Sequence, residues 1–440
     1  MVGKYLEYEG LGHLFVSVFL YYFASFMVIP VITDVTMAAV CPGRDECSAV
    51  IYLTGLQQVM TGMGTLVVTP VVGKLSDEMG RKALLTFPMT IAVLPLAVLA
   101  YGRSKPFVYC YFVLKTLTAM ACDGSIQCLS TTYLADCVPV GVRTSAFGLL
   151  SGTSLCAFVF GTLTAKLLSV PAAFMAASTI AGLAVAYMVV FLPERERGEF
   201  YGKVEGVSRR ERGGQVSVWR SLPSVSDFTC LLSSSSTFSN ASVVTFFSTL
   251  GETGLQASLL YYLKARFHFD KNQFADILLI CGIAGATSQM LFMPILATAV
   301  GEEKLLRVGL FACCAHTFLY CIAWSSAVPY IASMFAFFTV FTTPCIGSIV
   351  SKQVGADEQG KAQGCISGIR SFASVLSPLA MTPLTALFLS ERAPFPFPGF
   401  SIMCAGFASL IAFGQSFVMR AAPPISTLKA SSSNYVQVKH

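Results

Sequence analysis

The chain predicts an all-α membrane protein: twelve transmembrane helices arranged as two six-helix halves. Three observations carry that reading. Of 440 residues, 55% are hydrophobic and only 12% charged, whereas roughly 25% of residues in soluble domains are charged. The apolar runs extend for about 20 residues, enough for a helix to cross a roughly 30 Å hydrocarbon core, and they lack the alternation of a membrane barrel. Lys and Arg gather in alternate loops, nineteen on one side against eight on the other. The positive-inside rule makes the richer side cytosolic, puts both termini there and requires an even number of spans. The net charge of +6 therefore reports orientation in a bilayer; it does not call for nucleic acid.

In chain order, span 1 covers 11–33 and leaves Asp34 at its outer end, where a simple solvated helix end competes with a role in binding. Its apolar run is long enough to span and has no clear cleavage site, so no removable signal is expected. Cys41 and Cys47 flank Pro-Gly-Arg-Asp-Glu in the first outer loop, where an oxidising compartment could close a short disulfide. The remaining cysteines lie mainly in apolar segments and read as small buried hydrophobes. Span 2 (51–72) carries Gln57, Gln58, Gly62 and Gly64, small and polar residues suited to close helix packing. A charged loop, 73–82, leads to span 3 (83–101), which has no charge. Span 4 (107–135) carries Lys115, Asp123 and Gln127, and after Asp136 a turn with Arg143 enters span 5 (145–168) and span 6 (172–192).

The stretch from Pro193 to Ser217 is rich in Glu, Arg and Gly and predicts a flexible cytosolic linker, with an interfacial turn near 218–225. Spans 7 to 12 follow at 240–263, 274–299, 305–324, 328–350, 362–389 and 400–419. The expected organisation is thus a half at 1–192, a linker at 193–239, a second half at 240–419 and a polar tail at 420–440. An internal repeat supports six plus six. Ser151-Gly152 in span 5 parallels Ser367-Gly368 in span 11, and 294–306 echoes 70–85, though without its full set of charges.

Within the loop, Gly73 allows two helices to approach and Gly80 supplies a tight turn. Asp77 can accept hydrogen bonds from a helix N-terminus, while Arg81 and Lys82 can pair with carboxylates or anionic lipid. The order Gly73-x-Leu75-Ser76-Asp77-x-x-Gly80-Arg81-Lys82 resembles the signature loop between spans 2 and 3 of the major facilitator superfamily. Thr132-Tyr133-Leu134-Ala135-Asp136 and Arg143-x-x-Ala146-x-Gly148 resemble the span 4 to 5 junction of tetracycline-efflux-like carriers, and the chain is similar over about residues 11 to 420 to the hippocampus-abundant-transcript-like group. The resemblance implies the major facilitator fold, with spans 3, 6, 9 and 12 facing lipid and the others surrounding a wet cavity. It also implies that Asp77, Arg81, Asp136 and Arg143 belong to a charge network that closes the cytosolic side, with Asp77 and Arg81 near Arg143 and the start of span 11. Drug:proton antiporters of the superfamily carry a span-5 motif ending in Gly-Pro; here span 5 has Gly161-Thr162, and the nearer version, Ser377-Pro378, is in span 11.

An ionised side chain at the bilayer centre costs at least about 2.5–3.5 kcal/mol, so such residues are paired, hydrated or functional. Glu252 leads. It shares a helical face with Thr245, Ser248 and Gln256, and either takes up a proton, binds a cationic group or makes a structural hydrogen bond. Asp123 and Lys115 lie about two turns apart and pair with each other or with another span. Arg370, in line with Ser367, Ser371, Ser374 and Ser377, binds an anionic group or holds a gate. His316, lone on a span expected to face lipid, reads as structural.

No metal-ligand array, phosphate-binding glycine loop or nucleophile constellation appears in the sequence, so no cofactor, no metal and no enzymatic activity are expected. The expected function is secondary active transport of a small organic solute by alternating access, coupled to protons as efflux or antiport through Glu252 with Asp123. A proton-independent uniporter and a non-transporting receptor or scaffold remain the alternatives. The expected partners are the solute, protons and the bilayer, with no nucleic acid; the expected form is a monomer in the plasma or vacuolar membrane.

Overall fold

The computed structural model describes residues 10–40, 48–194, 235–269, 271–355, 358–390 and 393–419. Every regular element among them is helical. Helices α1 (Leu11–Val40) and α2 (Ser48–Met79) are followed by α3 (Arg81–Ile91) and α4 (Val93–Tyr101), which form one apolar stretch broken at Ala92. Pro95 cannot donate to the carbonyl of Ile91, so the break falls where that bond is missing. Then come α5 (Lys105–Cys137), α6 (Arg143–Leu167) and α7 (Val170–Phe191).

Helix α8 (Ser236–Phe267) begins inside the stretch expected to be linker. Helices α9 (Lys271–Thr287) and α10 (Met293–Val300) are joined by a π-helical turn, Ser288–Phe292, and α11 (Glu302–Cys321) follows. Three short helices, α12 (Val328–Met334), α13 (Ala336–Thr339) and α14 (Thr342–Lys352), make one apolar stretch, and α15 (Gln359–Phe388) and α16 (Phe400–Ser416) complete the order. Nine stretches among the described residues are long and apolar enough to cross a membrane, and α16 is a shorter apolar helix. Helices α5 and α8, at 33 and 32 residues, are longer still but carry Asp123 and Glu252 in their interiors. Large apolar side chains point outward along the bundle: Leu94, Leu183, Val190, Phe311 and Ile411 are each at least half exposed. In water that surface would be an aggregation liability; against acyl chains it is the ordinary exterior.

Burial concentrates in four clusters. Two are built from α1–α7, around Leu85, Tyr133 and Leu149, and around Met27, Leu99 and Phe174. Two are built from α8–α16, around Phe238, Leu310 and Phe341, and around Leu259, Tyr320 and Ile402. The two sets meet where α15 packs on α2 and where α6 packs on α9, α10 and α14. Glycines make those seams tight: a β-carbon on Gly73 would lie 2.9 Å from the Cα of Gly364, and closer still to the Gly360 carbonyl.

The charged stretch 73–82 is not a loop. Helix α2 continues through Met79, Gly80 alone breaks it with φ 96° and ψ 152°, and α3 starts at Arg81. Lys, Asp and Glu are compatible with a helical end, and the Asp77–Arg81 pair bridges the break from four residues away. Asp34 lies within α1, not at its end, because the helix runs on to Val40. The expected Cys41–Cys47 disulfide, the interfacial turn near 218–225 and the tail at 420–440 fall outside the described residues.

Candidate functional site

Two groups of polar residues stand out, one at the end of the bundle and one inside it. At the end, Arg81 donates from Nη2 to Asp77 Oδ1 at 2.7 Å and from Nε to Asp136 Oδ2 at 2.9 Å, and its Nη1 bonds Ser76 Oγ. Asp77 in turn accepts the backbone N–H of Gly360 on Oδ1 at 2.9 Å and that of Lys361 on Oδ2 at 2.8 Å. These are amides of the first turn of α15, which no side chain of its own segment caps. Asp77 therefore serves as an N-cap delivered from another helix, with its charge at the positive end of the α15 dipole. Gly73 and Gly360 make the reach possible by letting the two backbones touch. Gly80 adopts a φ that a β-carbon would strain, and Lys82 donates its backbone N–H to Glu194 at 3.2 Å.

Arg143, buried at the start of α6, donates from Nη1 to the Ser351 carbonyl at 3.2 Å and to Ser351 Oγ at 2.8 Å. Ser351 Oγ donates to Gln359, the first residue of α15. Arg143 thus reaches the start of α15 through Ser351, while Asp77 reaches it directly and Arg81 through Asp77. Beside it lies a second contact that the sequence reading did not single out. Thr144 Oγ1 donates to Glu302 Oε2 at 3.0 Å, and Glu302 forms an ion pair with Lys352. The signal was present: 294–306 repeats the pattern of 70–85, and Gly301 has φ 86° and ψ 152°, the same backbone turn as Gly80.

Inside the bundle, helices from both sets enclose a cavity of about 480 Å³, within the usual range for small-molecule sites. Phe26, Leu155, Phe158, Leu255 and Ile277 make much of its wall apolar, and Ser248, Glu252 and Gln256 project into it from α8. A second cavity of about 300 Å³ shares Ser248, Glu252, Gln256, Thr342 and Thr343 with the first and adds Arg370 and Ser374 from α15. The structure therefore brings Glu252, Gln256 and Arg370 together. Thr245, expected on the same stripe, is buried and donates to its own helix at the Ala241 carbonyl. Lys115 and Asp123 pair with each other at 3.6 Å, and neither is among the residues lining the two cavities.

Span 9 is not confined to lipid: His316, Cys313 and Thr317 of α11 line the larger cavity, and Ser409 of α16 joins them. His316 Nδ1 lies 2.7 Å from the Ala332 carbonyl, so the ring is anchored while its edge meets the cavity. The sequence reading also missed Gln289, which lines the cavity from the π-turn and bonds the Val340 carbonyl. A lone amide in an apolar helix needs such a partner, and that need was the available clue.

The sequence profile of the Major Facilitator Superfamily matches residues 14–378 and 241–434. Hippocampus abundant transcript 1 protein of Homo sapiens is 25% identical over 357 residues, covering 79% of this chain and 68% of that protein. Tetracycline resistance protein, class E, of Escherichia coli is 24% identical over 330 residues, covering 74% of this chain and 76% of its own. Among solved structures, the human organic anion transporter MFSD10 (TETRAN) superposes with a TM-score of 0.73 at 17% identity, covering 92% of this chain and 98% of its own. The E. coli fucose:proton symporter gives 0.67 at 14% identity, covering 94% and 98%; at such identities the likeness is one of fold. With the helices, the cavity between the two sets and the turn at Gly80 described, this chain is a multi-pass integral membrane protein that belongs to the major facilitator superfamily.

Proposed function

We propose that the chain is a secondary active carrier of a small organic solute that works by alternating access, with Glu252 as the proton-coupling carboxylate. The observation that carries this reading is the position of Glu252 in a cavity enclosed by helices from both ends of the chain, while the bundle is clamped at one end by Asp77, Arg81 and Arg143. A carrier needs that combination: a site that holds solute and a barrier that breaks on one side at a time. Taking α5, α8 and α16 as spans beside the nine apolar stretches completes twelve, in two halves of six with both termini cytosolic. On that orientation the clamp closes the cytosolic side and the cavity is reached from outside. Protonation neutralises a carboxylate and so changes the relative stability of the two states. The Lys115–Asp123 pair is proposed to support coupling from α5.

Flux of a solute panel into proteoliposomes, with and without an imposed pH gradient, tests the reading. Uptake or release of at least one solute driven by the gradient is expected, with the pH response lost in Glu252→Gln. Flux that ignores the gradient and the substitution would make the protein a uniporter, and no flux under any gradient would leave a receptor or scaffold.

A further inference from the structure

We propose that the solute is an amphiphilic zwitterion, held with its apolar body in the larger cavity and its two charges between Glu252 and Arg370. The inference rests on the carrier reading of this site and adds a substrate class to it. The larger cavity has a largely apolar wall that includes the rings of Phe26, Phe158 and Tyr320, and a volume of about 480 Å³. The smaller, about 300 Å³, is lined by Thr249, Thr253 and Ser374 beside Glu252 and Arg370. The shared wall at Ser248, Gln256, Thr342 and Thr343 sets the two side by side, one largely apolar and the other polar.

The polar end has an unusual feature. Among the described residues lining these cavities Glu252 is the only carboxylate and Arg370 the only Lys or Arg side chain, and neither makes a hydrogen bond or a salt bridge with another described residue. Of the polar neighbours, His316 bonds Ala332, Thr317 bonds Cys313 and Gln289 donates to Val340, while Gln289 Oε1 and the Tyr320 hydroxyl have no partner among the described residues. At the bundle end, by contrast, Arg81 bonds both Asp77 and Asp136. A carboxylate and a guanidinium left open to one small volume are poised for a ligand. A cationic amphiphile would meet Glu252 favourably and Arg370 unfavourably, and an anionic one the reverse. A zwitterion gains from both and leaves no net charge in the site. A volume of about 300 Å³ corresponds to roughly ten waters, enough for an amino-acid-sized head.

The test uses the purified full chain in detergent and four probes that share a phenyl body: homophenylalanine (zwitterion), 3-phenylpropylamine (cation), 4-phenylbutyrate (anion) and phenyl glucoside (neutral polyol). Affinity is read from ligand-dependent thermal stabilisation. Homophenylalanine is expected to bind at least about ten-fold tighter than the other three. Glu252→Gln is expected to shift the preference to the anion and Arg370→Gln to the cation. The wild-type ranking suffices if either variant fails to fold. Equal or tighter binding of the amine, the acid or the glucoside, no binding of any probe up to its solubility, or an unchanged ranking in a folded Arg370→Gln protein would each overturn the proposal. If homophenylalanine binds as expected but is not carried into proteoliposomes, the carrier reading fails while the site assignment stands.

Discussion

The turn at Gly80 and the turn at Gly301 have the same backbone and different chemistry. Their φ and ψ are 96° and 152° at Gly80, and 86° and 152° at Gly301. Each is followed at once by a charged residue whose partner ends another helix: Arg81 pairs with Asp136 at the end of α5, and Glu302 pairs with Lys352 at the end of α14. Each also touches the first turn of a helix from the other set, through Asp77 on α15 and through Glu302 on Thr144 of α6. The sign of the pair is inverted between the two. The setting differs at the cation, since Arg81 is 5% exposed and Lys352 22%, while the acidic partners Asp136 and Glu302 are alike at 20% and 18%. Thr298 stands where the first turn has Asp77, and it bonds only carbonyls of its own helix. A repeated backbone thus supports one clamp with a dry cation bonded to Asp77, Asp136 and Ser76, and one with a wetter cation paired with Glu302.

The largest test of that contrast is Arg81→Ala. It would strand Asp77 and Asp136 without a counter-charge and cost about 3–5 kcal/mol, as breaking a buried pair does. Thermal unfolding should show the loss, and hydrogen exchange at the Gly360 and Lys361 amides should rise as the end opens. If Lys352→Ala were as damaging, the two clamps would be equal and the comparison would fail. Next comes Gly73→Val, which drives side-chain atoms into the α15 backbone and should cost about 1–3 kcal/mol. Gly301→Ala has open space around it, so only backbone strain of about 1–2 kcal/mol applies.

Exchanging the charges of the second pair sharpens the contrast. Glu302→Lys or Lys352→Glu alone should lose about 1–2 kcal/mol, less in high salt, and the double exchange should recover most of it. The same exchange at Arg81 and Asp136 should not recover, because Asp77 still needs a cation beside it. A full rescue there, measured by the same unfolding midpoint, would show that Asp77 draws its stability from the α15 amides alone. The smallest effect is Thr144→Val, which removes hydroxyl bonds to Glu302 and Ser348 and should cost about 1 kcal/mol.

Much of the first clamp was legible because its geometry is local. Asp77 and Arg81 are one helical turn apart, and a carboxylate followed by glycine and arginine states its own partners. That Asp77 would face a helix N-terminus also followed from charge. The helical course of 73–79 did not, because a dense set of charges between apolar runs looks like a loop until the helix is seen to project beyond the apolar stretch. The second clamp was hidden for another reason: Glu302, Lys352 and Thr144 lie on three separate helices, and no spacing links them. The cavity behaved the same way. Glu252, Ser248 and Gln256 were visible as a stripe on α8, but their meeting with Arg370 of α15 and His316 of α11 depends on how those helices cross.

By itself the sequence determined that this chain is a helical membrane protein of one superfamily, because hydrophobic length, loop charge and the Gly73–Lys82 pattern are properties of consecutive residues that a bilayer and a helical turn read directly. Tertiary structure alone decided which charges are bonded and which stand open. Bonding of a buried charge depends on atoms within about 3 Å, and those atoms come from helices far apart in the chain: 283 positions separate Asp77 from Gly360. The same packing that bonds Arg81 to Asp77, Asp136 and Ser76 leaves Glu252 and Arg370 facing a shared cavity, and that difference turns one set of charges into a clamp and the other into a site.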